Sequence, residues 1–152
     1  MFGVLALLLV VSPPHFHAGQ GWRVGSRPAH ACSGVSASRC VQASGWASTV
    51  RYRDCAICVP HKTLAHLPPS GIVIQLTKAR EEPPRARVAS WPPSIRKRDL
   101  SAGFEGVSSR YGVFQLFVRA GHLERYLFVW FGRAHPTQRQ LARANAELRT
   151  AR

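Results

Sequence analysis

Carboxylates are scarce in this chain: seven Asp and Glu stand against 21 Lys and Arg in 152 residues, a formal net charge of +14. All seven lie after position 53, so the first 53 residues carry none. Reactions that need two placed carboxyl groups, such as glycoside hydrolysis, have little to draw on. Glu81, Glu82, Asp99 and Glu105 sit beside basic neighbours in segments that read as loops. His122 and Glu124 lie two apart on one strand face, which reads as a solvent-exposed polar pair. Nucleophile motifs are missing too. No G-x-S-x-G occurs, and "GVSSR" at 106–110 lacks the second glycine of a nucleophile elbow. Neither H-E-x-x-H nor a phosphate-cradling glycine loop is present. The sequence thus predicts no catalytic residue and no cofactor, and points away from an enzyme.

Long apolar runs are also lacking. The longest, "MFGVLALLLVV" at 1–11, falls short of the roughly 20 residues that span a bilayer as a helix. It matches the hydrophobic region of a secretion signal in length, but no Lys or Arg precedes it. Ala18, the nearest small residue for cleavage, has Phe16 two positions before it. Three readings stand open: a signal peptide or leader over 1–18, a hydrophobic N-terminal strand or tail, or a misplaced gene start reaching to about residue 45. The Ala, Ser, Gly, Arg and Cys mixture of 19–45 predicts an irregular segment, leaving 46–152 as one small α+β domain. The leader reading places the protein outside the cell or in its envelope; the cytoplasm is the alternative. No integral membrane span is expected unless the leader is uncleaved.

Cysteine is limited to four residues. In "DCAICVPHKTLAH", 54–66, Cys55 and Cys58 have the spacing of half a zinc site, and His61 and His66 complete a nominal set. Ala56, Ile57 and Val59 make the run strand-like, however, and strand positions three apart point to opposite faces. The thiols are therefore expected to diverge and no metal is expected. A redox pair would want its first thiol at a helix N-terminus, whereas a strand precedes it here and Pro60 follows. Two uses remain: small buried apolar residues, or disulfides in an exported chain. Four cysteines allow three connectivities, of which Cys32–Cys40 with Cys55–Cys58 is one.

The periodic segments predict a small antiparallel or mixed sheet, with strands near 46–59, 71–79, 112–120 and 122–131, covered by a C-terminal helix over 136–150. A short helical turn is expected in "PHKTLAHL", with Leu64 and Leu67 on one face. "REEPPRARVASWPP", 80–93, reads as an exposed proline-rich connection. Residues 111–132 read as two strands turning at Ala120-Gly121. Tyr126, Phe128 and Trp130 have the period of a stacking platform but read as core, because both faces of their strand become apolar. In the helix, Leu141, Ala144, Leu148 and Ala151 form an apolar stripe, while Arg139, Arg143 and Glu147 mark an outer face.

What the chain has in excess is arginine. Eighteen of the 21 bases are Arg, the better phosphate fork, and "IRKRD" at 95–99 is the one tight cluster. Arg96, Lys97 and Arg98 there, with Arg139 and Arg143 on the helix, are the candidate anion-binding residues. The reading that follows is a non-enzymatic basic domain, exported or envelope-associated, that binds a protein or an anionic surface. The alternatives are an intracellular nucleic-acid-binding protein and a small enzyme acting on an anionic substrate.

Overall fold

A computed structural model describes residues 11–85 and 90–152, with side-chain surroundings described outside 81–85 and 120–122. The fold is α+β, as the sequence predicts: an antiparallel sheet followed by a C-terminal helix. The strands are β1 (Arg23–Ala31), β2 (Cys40–Ser48), β3 (Ile72–Arg85), β4 (Ser101–Phe104) and β5 (Val107–Phe131), in spatial order β1-β2-β3-β5-β4. Helix α1 (His61–Leu64) lies between β2 and β3, and α2 (Gln138–Leu148) follows β5. β5 doubles back on itself. Its first arm pairs with β4, its second with β3, and Gly112 N donates to Arg133 O at 3.0 Å across the two ends. Counted by arms, the sheet is six-stranded.

Strand alternation gives the sheet two apolar faces, each covered differently. Ile72, Ile74 and Leu76 of β3, with Leu127, Val129 and Phe131 of β5, pack against Leu141, Ala144 and Leu148 of α2. The predicted helical stripe is the buried one. Residues 11–22 run alongside α2 on this face, where Phe16 joins the core and Pro14 O lies where a Cβ at position 45 would stand, so only Gly45 fits. The segment before β4 closes the other flank: Ile95 is buried, and Asn145 clamps its backbone, accepting from Ile95 N (2.7 Å) and donating to Ile95 O (3.0 Å). On the opposite face, Leu64 and Leu67 cover Val73, Tyr111, Val113 and Trp130.

Several expectations are corrected. The strand placed at 46–59 is β2, and it ends at Ser48; residues 49–60 form the irregular start of the cover over the second face. Segment 19–45, expected to be irregular, carries β1 and the larger part of β2. Its small residues suit it: Ala43 is fully buried beside Val11 and Val41, and Gly45 lies against the Pro14 carbonyl. β3 continues through Pro83 and Pro84 to Arg85, beyond the expected end at 79, and residues 86–89 of the expected connection lie outside the described set. Glu124, read as exposed, is buried against Arg119 and Tyr126; the side chain of His122 lies outside those described.

Candidate anion-binding surface

The chain leaves β5 at a crowded junction. Gly132 N donates to Gly71 O (3.0 Å), and a Cβ at position 132 would collide with the carbonyl oxygen of Pro68, so the strand exits on a glycine of necessity. After a short bent segment Thr137 caps α2. Gln140 N donates to Thr137 Oγ1 (3.2 Å) and Thr137 N donates to Gln140 Oε1 (3.0 Å), a reciprocal capping box. Gln140 Nε2 also donates to Pro69 O at 2.9 Å, tying the helix start to the loop before β3.

This junction sets three arginines around one cleft of about 650 Å³, whose walls include Gln20, Ser70 and Thr137. Arg133 comes from the strand exit, and Arg139 and Arg143 come from successive turns of α2. Two are held from behind. Arg133 Nε donates to Pro69 O (3.1 Å), and Arg143 Nη2 donates to Gly21 O (3.1 Å) with its guanidinium over the Trp22 ring at 5.0 Å. A guanidinium has five N–H donors, so a single bond to a carbonyl orients the fork and leaves donors for a ligand. No carboxylate is among the residues lining this cleft.

The IRKRD cluster lies on the other flank of α2. A second cleft of about 540 Å³ runs between Arg96, Lys97 and Arg98 on one side and Gln138, Ala142 and Asn145 on the other. Arg96 is partly neutralised by Asp99 (3.7 Å), whose carboxylate also accepts from Arg96 N (2.9 Å). All five candidate residues therefore border α2, divided between two clefts. Sequence reasoning missed Arg133, which enters through chain reversal and not through local clustering. Glu147, read as part of an outer face with Arg139 and Arg143, is buried beneath the N-terminal segment; burial raises its pKa, while the Thr150 hydroxyl, His17 and Arg143 pull it down.

The cysteines of the opening motif are bonded to each other. Residues 55–58 form a turn, with Cys58 N donating to Cys55 O at 3.3 Å, which brings both sulfurs to one side. The expectation that they diverge followed from reading a strand here and is corrected. Cys32 and Cys40 form the second disulfide, so the connectivity is the local pair of the three. His61 and His66 are exposed around α1, and no cluster of three His, Cys, Asp or Glu fit for a metal occurs among the described residues.

A partly buried polar network links the Cys55–Cys58 disulfide to the sheet. Tyr52 OH donates to Cys55 O (2.8 Å), Gln75 Nε2 donates to Tyr52 OH and to Cys58 O (2.7 Å each), and Trp130 Nε1 donates to Gln75 Oε1 (2.9 Å). Burial pushes the Tyr52 hydroxyl up to about 12; the Gln75 bond opposes this and the Asp54 carboxylate adds to it. Lys78 is lowered by burial and by Arg125, its register partner, and Arg125 is lowered by burial. None of these displaced groups lines either basic cleft. No protein-family model, no curated protein and no solved structure matches this chain.

Proposed function

We propose that this chain is a disulfide-bonded, exported binding domain that engages anionic surfaces through the arginine cleft at the N-terminal end of α2. The observation that carries the reading is the convergence of Arg133, Arg139 and Arg143 on one cleft with no carboxylate in its lining. Planar forks held from behind are suited to sulfate, phosphate or carboxylate groups. The net charge of +14 adds long-range attraction for such a surface. Two disulfides that use all four cysteines favour an oxidising compartment. Val11 and Phe16 are buried, so on this reading any processing falls ahead of Val11 and not at Ala18.

Binding to heparin and to vesicles containing anionic lipid tests the proposal. Affinity should fall steeply with salt, and Arg133→Gln, Arg139→Gln and Arg143→Gln together should lower it about tenfold or more at low salt, from losses of roughly 1 kcal/mol or less per exposed charge. Undiminished binding by the triple variant would reject the cleft. Tight, salt-sensitive binding of single-stranded DNA with none to heparin or vesicles would favour the nucleic-acid alternative.

A further inference from the structure

The sheet face opposite α2 is covered only in part. The chain from Thr49 to Leu67 shields one end of it, and Phe117 and Tyr126 of β5 are exposed. A groove of about 300 Å³ remains between the disulfide turn and the sheet, lined by Ile57, Gln42, Thr77, Tyr126 and Phe128. Among the described residues four large apolar side chains are exposed, and three of them, Ile57 (43%), Phe117 (41%) and Tyr126 (39%), border this groove or stack at its edge. The fourth, Val35, sits in the other disulfide loop. Soluble proteins rarely gather exposed apolar groups in one place without a use for them.

These residues are also rigidly held. The Phe117 and Tyr126 rings lie 4.6 Å apart, the Arg119 guanidinium sits 4.6 Å from the Phe117 centroid, and Arg119 pairs with the buried Glu124 at 2.8 Å. Tyr126 OH donates to the same carboxylate at 2.9 Å, which closes a circuit of four side chains. Ile57 projects from a turn pinned by the Cys55–Cys58 bridge, whose flanking carbonyls are held by Tyr52 and Gln75. Aromatic and arginine groups fixed in advance lose little entropy on binding, the property that marks interface anchors.

Charge decides the kind of partner. Within the patch the charge of Arg119 is balanced by Glu124 through Nε, which weakens its attraction for a phosphate and disfavours nucleic acid. Among the described residues the exposed charges around the patch are mostly basic, with Glu105, beside the Phe104 that packs on Phe128, the exposed carboxylate. Arg27 lies on the same sheet face in register with Ser44, and Arg51, Arg53 and Lys62 are exposed on the covering chain. The carboxylate of that chain, Asp54, is engaged by Lys62 N, Thr63 N and the Thr63 hydroxyl. A second copy would bring another +14 against this rim. We infer that this face docks an acidic protein segment, with an apolar anchor side chain seated between Ile57 and Phe128 and its carboxylates meeting the basic rim.

Two libraries of short synthetic peptides provide the test, both with a randomised apolar centre, one flanked by Asp and Glu and the other by Lys and Arg. Selection on the folded, oxidised protein should enrich the acidic library only. The enriched peptides should lose about tenfold or more in affinity on Phe117→Ser and on Ile57→Ser, exposed sites where the fold tolerates change, with melting curves as the control. Arg139→Gln with Arg143→Gln should leave peptide affinity within about threefold while lowering heparin binding, which separates this face from the α2 cleft. The inference is overturned if neither library enriches, if the groove variants bind unchanged, if Phe117→Ser instead abolishes oligothymidylate binding, or if sedimentation shows a dimer that Phe117→Ser dissociates.

Discussion

Tyr52 shows how one residue joins the sheet to its cover. Its ring stacks on Trp46 at 4.4 Å, and its hydroxyl both donates to Cys55 O and accepts from Gln75. Tyr52→Phe keeps the stack and removes both bonds, and a loss of roughly 1–3 kcal/mol is expected by urea unfolding. Because the folded hydroxyl is raised to about 12 from an ordinary 10.0, its contribution is complete below pH 10 and is lost as pH rises through 12. The stability gap between wild type and Tyr52→Phe should therefore narrow over that window. A gap independent of pH would show that Tyr52 ionises normally. This network was not legible beforehand: Tyr52, Gln75 and Trp130 lie far apart in the chain, and only β3–β5 pairing and the return of the covering chain assemble them.

At the scale of elements, legibility followed the size of the side chains. β3, β5 and α2 announce themselves because Ile, Leu, Val and Phe recur with period 2 or 3.6, and these elements carry the main core. β1 and β2 do not, because Ala43, Ser44, Gly45 and Ala47 make a small-residue strand that lets the N-terminal segment approach closely. The run from Val50 to Val59 reads as a strand for the opposite reason: its apolar residues serve as a lid over Trp130 and Val73, packing without pairing. The disulfide turn shapes that lid. Replacing both Cys55 and Cys58 with Ser is expected to cost about 2 kcal/mol from the loosened unfolded chain alone. The larger effect should be local: amides of 52–67 should exchange hydrogen faster while those of β3 and α2 are little changed. Uniform loss of protection would mean that the bridge supports the whole fold. Of the site, the bases on α2 and in IRKRD were visible in the sequence as charge, but their division between two clefts depends on where the segments before β4 and β1 land beside the helix.

Over the whole molecule, residues 15–17 and 150–152 are joined in one structure. His15 N donates to Arg152 O and Arg152 N to His15 O, both at 3.1 Å, while His17 N donates to the Thr150 hydroxyl at 3.1 Å. Val11 packs on Val41 and Ala43, and Phe16 enters the core shared by the sheet and α2. The same segment carries Gly21 and Trp22, which hold Arg143 in place, so core packing and the anion cleft depend on one strap. A chain beginning at Gly19 loses Val11 and Phe16 together with the backbone pair to Arg152. Removing Phe16 alone should cost roughly 3–5 kcal/mol, a large share of the about 5–15 kcal/mol that holds a domain of this size together. That shortened chain is expected to melt far lower or to show no cooperative transition, and to bind heparin weakly at temperatures where the chain beginning at Val11 is folded and binds. An unchanged melt would show that the strap is dispensable and that Ala18 is an acceptable processing site. A normal melt with weakened heparin binding would show that residues 11–18 serve the cleft and not the core.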